Sequence, residues 1–287
     1  MSILEAVTLG VVQGLTEFLP ISSTAHLRIV PALLGWQDPG AAFSAVIQCG
    51  TLAAVCAAMR RDIAAILAAA LATLRSRRLP ATPEARAGLF IAVGTVPIVV
   101  AGLLFKDVIK GPLRSLEAVI TALLAATVAM VAAEWIGRRR GRRGDVGRDG
   151  LESLTWGDCL AMGSAQALAL FPGTSRSGIT IAAGMLGGLD RRTAARFSFL
   201  LSLPAIAAAA LLELVEERQA ILGSTEAIAA AAWGTLTAAI VGYAAIRWLL
   251  KILTSHTLWP FIAYRLALAG LLAWSLASGL VPAAAAG

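Results

Sequence analysis

The sequence predicts an all-α protein that crosses a lipid bilayer several times. Three observations carry this. Only 14% of the 287 residues are charged, against about 25% in soluble domains. Mean hydropathy is +0.79. Six uncharged runs, residues 39–59, 87–105, 118–133, 197–212, 227–246 and 266–287, approach or exceed the roughly 20 residues that span hydrocarbon as helix. A soluble globular enzyme is excluded on these grounds. Transmembrane strands would alternate in short segments between turns, and no such segments occur.

Taken in chain order, the N-terminus has Glu5 as its first charge and no basic stretch before its apolar run, so a cleaved secretory signal is not expected. The net charge of +7 and pI near 10.1 do not point to nucleic acid, because the basic residues sit in short loops between apolar runs, where they fix orientation. The densest group, six arginines within residues 138–148, should be cytoplasmic and is read as a flexible orienting loop, with binding to anionic headgroups as the weaker alternative. Counting crossings from there places residues 60–86, then Arg191, Arg192 and Arg196, then Arg247, Lys251 and Arg265 inside. The loop 106–114 and the acidic stretch with Glu213, Glu216, Glu217 and Glu226 fall outside. Of the loop basics, 18 lie inside and four outside. The scheme requires residues 1–35 and 156–189 each to enter and leave by one face. Residues 63–74 are too few for a comfortable span and are taken as a cytoplasmic-side continuation. Cys49, Cys56 and Cys159 lack metal-like spacing and read as packing residues. Trp36, Trp135, Trp156, Trp248 and Trp259 lie near expected span ends, as an interfacial belt does.

Those two segments also resemble each other. Gly10, Gln13, Leu15 and Phe18 recur as Gly163, Gln166, Leu168 and Phe171 at an offset of 153, and Phe43-Ser44 recurs as Phe197-Ser198 at 154. The chain therefore reads as one integral-membrane domain, 1–287, made of a half at about 1–137, an Arg-rich linker at 138–155 and a half at about 156–287. A broken hairpin plus three crossings per half turns the second half upside down, giving about six transmembrane helices and two re-entrant helical hairpins in an inverted repeat.

Pro20 and Pro172-Gly173 break the hairpins at corresponding places, freeing backbone groups that hydrocarbon cannot satisfy. Hydroxyl residues follow each break, Ser22, Ser23 and Thr24 in one and Thr174, Ser175 and Ser177 in the other. Two helix N-termini meeting at mid-membrane make an anion site, and Arg176 adds a fork donor suited to phosphate. Glu17 shares a helix face with Gln13 and is an intramembrane carboxylate, functional by default; a purely structural Glu17–Arg176 ion pair is the alternative. Gln13 and Gln166 support the site or simply hydrogen-bond the hairpins together. His26, in the first turn after the hydroxyl cluster, is placed to move a proton or, alternatively, is a satisfied buried polar group. His256 reads as an interfacial residue.

At these residues the sequence resembles the bacitracin-resistance type of undecaprenyl-diphosphate phosphatase. The stretch Gln13-Gly-Leu-Thr-Glu17-Phe-Leu-Pro20-Ile-Ser-Ser-Thr-Ala25-His26 matches that family's first motif and Pro172-Gly-Thr-Ser-Arg176-Ser-Gly178 its second. Ala25 stands where most members have glycine, and Gln13 where some have glutamate. The resemblance implies removal of the terminal phosphate from the C55 polyprenyl diphosphate carrier, recycling it for cell-wall synthesis. It also implies a multi-pass protein of the bacterial plasma membrane, with the pocket opening to the outer face. Membrane lipids are the surroundings, no nucleic acid is involved, and a homodimer is left open. Stimulation by a divalent cation, Mg²⁺ or Ca²⁺, is implied too, carried on the diphosphate because one carboxylate is a poor cage. Under this reading Ser23 is the nucleophile, Glu17 or His26 its base, and Arg176 with Ser22, Thr24, Thr174, Ser175 and Ser177 holds phosphate. Attack by a water activated at Glu17 is the alternative. A phosphohistidine mechanism is disfavoured, since no histidine follows Arg176 until His256. Broken helices in inverted repeat also fit a transporter, so a flippase of the polyprenyl phosphate is the rival function.

Overall fold

The computed structural model describes residues 1–77, 79–105, 108, 113, 115–145, 147–217 and 223–278. The chain is all-helical: among the described residues the only strand-like pairing is an isolated bridge between Arg148 and Leu189. Among the described residues eleven α-helices follow one another: α1 (Ile3–Phe18), α2 (Ser23–Leu34), α3 (Gly40–Ala58), α4 (Arg60–Ser76), α5 (Pro83–Leu104), α6 (Leu116–Gly141), α7 (Trp156–Leu168), α8 (Arg176–Gly187), α9 (Arg191–Glu216), α10 (Thr225–Ile252) and α11 (Trp259–Ala277). Five of them, α5, α6, α9, α10 and α11, are long and apolar enough to span a bilayer, and α3 with α4 makes a sixth unit bent by 78°. The expected short continuation at 63–74 is thus α4, which turns away from α3 rather than crossing separately. The expected outer basics Lys106, Lys110, Arg114 and Arg218 lie outside the described residues.

Small residues set the helix packing. A Cβ on Gly10 would stand 2.4 Å from the Gly234 carbonyl oxygen, one on Gly14 2.8 Å from that of Ala238, and one on Gly50 2.2 Å from that of Thr235. Close approach of this kind replaces the hydrophobic drive that lipid cannot supply. Residue numbers rise together along each pair, Gly10–Gly234 to Gly14–Ala238 and Gly50–Thr235 to Ala54–Gly242, so α1 and α3 both run parallel to α10. In the other half, the Cys159 thiol bonds the Phe90 carbonyl and Gly163 meets Gly94, so α7 runs parallel to α5. The ends of α3 and α10 share one arginine-rich face with the start of α9, and α5 departs from that face, where Arg86 bonds the Leu154 carbonyl at 3.2 Å. The α1–α2 hairpin consequently inserts from the opposite face and α7–α8 from the arginine-rich one.

The duplication extends to backbone detail. Ser2 and Thr155, 153 apart, each close a capping box, with Glu5 and Asp158 respectively. Both second arms, α2 and α8, have 12 residues and end on a left-handed glycine, Gly35 and Gly188. Between arms, Ser22 has φ 75° and Ser175 φ 67°.

The arginine loop is not a flexible tether. Arg148 forks onto Asp158 at 2.7 and 2.8 Å and reaches the Ser153 and Gly187 carbonyls. Arg140 binds the carbonyls of Met185 and Leu186. These bonds satisfy the end of α8 and pin the open end of the second hairpin, as cations at a helix C-terminus do. Glu134, fully buried, holds Arg191 at 2.6 and 2.8 Å and the Leu258 N–H at 2.7 Å.

Gly50→Ala should cost about 1–3 kcal/mol, since backbone and not a mobile side chain opposes the added methyl. Thermal unfolding in detergent should show a lowered midpoint. Gly137→Ala, with nothing within 4 Å of its added Cβ, should leave the midpoint unchanged or slightly raised.

Candidate active site

The hairpin breaks come together inside the bundle. Thr24 Oγ1 accepts the Gly173 N–H at 3.1 Å, and Ser177 Oγ donates to the Leu19 carbonyl at 3.1 Å. Gly173, at φ 99°, admits no side chain, because a Cβ would stand 2.2 Å from the Val119 carbonyl oxygen.

What closes the junction is a residue that the sequence reading had assigned to a cytoplasmic loop. Arg265 is fully buried in α11. Its Nε donates to Thr127 Oγ1 at 2.7 Å and its Nη2 to the Leu123 carbonyl at 2.8 Å. Nη1 reaches the Pro20 carbonyl at 3.4 Å in one break, and Nη2 also lies within reach of the Gly173 and Thr174 carbonyls, at 3.4 and 3.1 Å, in the other. A guanidinium, with five fixed donors and no acceptor, suits a nest of carbonyls that lipid cannot solvate. The sequence hides Arg265 because the long uncharged run 266–287 begins directly after it. The uncharged stretch 257–264 before it is the signal that it lies within the span.

Around this junction, Glu17, Ser23, Arg176 and Gln13 form one cluster. Glu17 Oε1 accepts from Arg176 Nη2 at 2.7 Å. Its Oε2 accepts from Ser23 Oγ at 2.8 Å and Gln13 Nε2 at 2.9 Å. The side chains of Glu17 and Arg176 are 9% and 14% exposed, so the pair is shielded yet reachable. Beyond Glu17, the one bond of the Arg176 guanidinium among the described residues is a 3.4 Å contact to the Ser202 carbonyl, which leaves donors for an anion.

His26 is near but differently engaged. Its Nδ1 lies 2.6 Å from the Ser22 carbonyl oxygen and its Nε2 2.6 Å from the Tyr264 hydroxyl, and the two rings stack with centroids 5.5 Å apart. A carbonyl only accepts, so Nδ1 carries a proton. In the neutral ring, Nε2 then accepts from Tyr264. No bond links His26 to Ser23. Tyr264, 45% exposed, carried no signal in the sequence beyond its position next to Arg265.

The hydroxyl residues divide similarly. Ser22 Oγ lies 3.2 Å from Thr24 Oγ1 and Ser175 Oγ 3.3 Å from Ser177 Oγ. Ser175 also caps α8 through the Gly178 N–H at 3.3 Å, whereas Ser22 makes no side-chain cap. The first helical bond of α2 is His26 N–H to the Ser22 carbonyl, so the amides of Ser23, Thr24 and Ala25 precede it as donors. Thr174 is buried and lends its carbonyl to Arg265. Gln13 and Gln166 do not bridge the hairpins: Gln13 bonds within its own helix, and the buried Gln166 amide has no hydrogen-bond partner among the described residues.

Both oxygens of Glu17 are engaged, and no group of three His, Cys, Asp or Glu side chains fit to hold a metal ion occurs among the described residues. The donor set does not fit a protein-held divalent cation.

Fold and site together define a polytopic membrane protein whose polar centre is assembled where two oppositely inserted, broken helices touch. The chain belongs to the bacitracin resistance protein BacA family, which it matches over residues 6–271. It is 52% identical over 268 residues to the undecaprenyl-diphosphatase of Chlorobaculum tepidum, covering 93% of this chain and 95% of that one. It is 49% identical over 283 residues to the undecaprenyl-diphosphatase of Chlorobium limicola, covering 99% and 100%.

Arg265→Met should leave several carbonyls of the two breaks unsatisfied, at about 1–3 kcal/mol each. Its thermal midpoint in detergent should fall well below that of Arg247→Met, whose guanidinium is exposed.

Proposed function

We propose that this chain hydrolyses undecaprenyl diphosphate to undecaprenyl phosphate and inorganic phosphate, recycling the lipid carrier for cell-wall synthesis and conferring bacitracin resistance. The single observation that carries the reading is the Ser23–Glu17–Arg176 chain of hydrogen bonds at 2.8 and 2.7 Å, set at the meeting point of two helix N-termini in a member of the BacA family. The protein resides in the bacterial plasma membrane, and the site opens to the outer face, the side from which the α1–α2 hairpin inserts.

In the mechanism, free donors of Arg176, with the N–H groups that start α2 and α8, hold the diphosphate and offset charge as the terminal phosphoryl group moves. Ser22, Thr24, Thr174, Ser175 and Ser177 shape this cradle. Ser23 Oγ attacks the terminal phosphorus, its proton passes to Glu17 Oε2, and the bond to the bridging oxygen breaks to release polyprenyl phosphate. Glu17 passes that proton on to the departing phosphate; water then cleaves the phosphoserine, with Glu17 taking a proton from it and returning it to Ser23 Oγ as inorganic phosphate leaves. The distances favour Glu17 over His26 as the base. His26 holds the strained Ser22 carbonyl and presents Tyr264, a positioning role. Attack by water activated at Glu17 gives the same products without the covalent step. A divalent cation, Mg²⁺ or Ca²⁺, belongs to the substrate as a diphosphate complex, and no step is assigned to it.

The test is inorganic phosphate release by purified protein in detergent, where lipid transport has no meaning and a carrier would give no signal. Ser23→Ala and Arg176→Ala should each fall below a tenth of wild-type turnover. Retention of more than that by Ser23→Ala would remove serine from the nucleophile role and leave the activated water. Tyr264→Phe should keep a larger share of activity than either.

A further inference from the structure

At the arginine-rich face, away from the hairpin junction, a cavity of about 920 Å³ opens between the end of α3, the start of α4, the start of α9 and the end of α10. Six cationic side chains line it: Arg60, Arg61, Arg192, Arg196, Arg247 and Lys251. The one acidic lining residue, Asp62, is consumed by Arg196, whose Nε donates to it at 3.0 Å. The other five form no salt bridge among the described residues. Arg148, Arg191 and Arg140, elsewhere on this face, are by contrast spent on Asp158, Glu134 and the end of α8. A concave site with five uncompensated positive charges is far from electroneutral, and like charges gathered so closely destabilise the fold unless an anion joins them.

Two further wall residues indicate the kind of anion. Tyr243 and Trp248 are 39% and 49% exposed, and Trp248 is braced edge-on by Phe261 at 6.2 Å. Trp248 stands one turn before α10 ends, the level at which aromatic side chains meet lipid headgroups, and Tyr243 lies deeper along the same helix.

We propose that this cavity is a headgroup site for an anionic phospholipid, with the phosphate among Arg60, Arg61, Arg192, Arg247 and Lys251 and the acyl chains leaving past Tyr243 and Trp248. It is separate from the Glu17–Ser23–Arg176 cluster. The packed core that includes Phe18, Val55 and Phe199 also contains Met59 on the cavity wall, and Phe18 and Phe199 meet edge to face at 5.5 Å.

The test is native mass spectrometry of the full chain, titrated in detergent with phosphatidylglycerol, phosphatidylcholine or inorganic phosphate. Phosphatidylglycerol should bind tightest, and more weakly as salt rises. At roughly fivefold per charge, equivalent to ~1 kcal/mol, the combined Arg61→Gln, Arg247→Gln and Lys251→Gln variant should bind it more than tenfold more weakly. Arg61→Lys with Arg247→Lys should retain binding, and Asp62→Asn, which frees Arg196, should tighten it. Phosphate release from undecaprenyl diphosphate should persist in the triple variant, which shows that it is folded. Equal binding of the two lipids by the wild type, or an unaltered affinity in the folded triple variant, would overturn the proposal. Binding of inorganic phosphate as tight as that of phosphatidylglycerol would make this a free-anion site and overturn the lipid assignment.

Discussion

A helix broken inside hydrocarbon exposes carbonyl and amide groups that no solvent can satisfy, and the architecture follows from meeting that demand. Each orphaned group costs several kcal/mol in lipid, so neither hairpin tip is tenable alone. The tips satisfy one another through Thr24 to Gly173 and Ser177 to Leu19, and Arg265 gathers the carbonyls of Pro20, Gly173 and Thr174 that remain. A buried guanidinium is itself expensive unless its donors are filled; here the broken backbone fills them. The cation and the breaks each remove the other's penalty, which makes the junction a single unit whose members fail together.

That unit fixes where chemistry can occur. Ser22 and Ser175 sit at positive φ, a conformation costly for residues with a side chain, and they hold it because the junction over-determines them. The strain turns Ser23 and Arg176 into the first turns of α2 and α8 and toward Glu17. Gln13, one turn before Glu17 on α1, sets the carboxylate from the other side. A carboxylate gripped by three donors is held in one orientation, which suits the proposed role of a base in phosphoryl transfer.

Much of this was legible in the sequence, because the lipid environment makes rule-breaking residues conspicuous. The uncharged runs announced the spans, the prolines and glycine announced the breaks, and the recurrence of Gly10 and Gln13 at Gly163 and Gln166 announced the inversion. Glu17 and Arg176 stood out as charges at apolar depth. Arg265 escaped because it lies near the start of its span and counts equally well as a loop basic. Its partners are mostly backbone carbonyls, which leave no trace in side-chain identity. The same limit applies to the loop at residues 138–148, where six arginines look like an orienting cluster. Only the fold brings Arg140 to the end of α8 and Arg148 to Asp158. His26 was visible as a residue of the motif, but its engagement by Tyr264 joins positions 238 residues apart.

The inverted duplication explains how one scaffold yields an asymmetric site. At the shared offset of 153, Ser22 corresponds to Ser175 and Gln13 to Gln166, positions that serve the turn and the helix arms and are the same in both halves. Ser23 corresponds to Arg176, Glu17 to Leu170 and His26 to Ile179, positions that line the polar cluster and differ. Two identical hairpins would bring two carboxylates or two guanidinia face to face, and either pair is repulsive at apolar depth. Placing the acid and hydroxyl on one hairpin and the cation on the other turns the same pseudo-symmetric contact into a neutral, hydrogen-bonded triad. The symmetry supplies the geometry, and its breaking at three positions supplies opposite charges at a distance of 2.7 Å, the arrangement a charged diphosphate requires from a site that water reaches only in part.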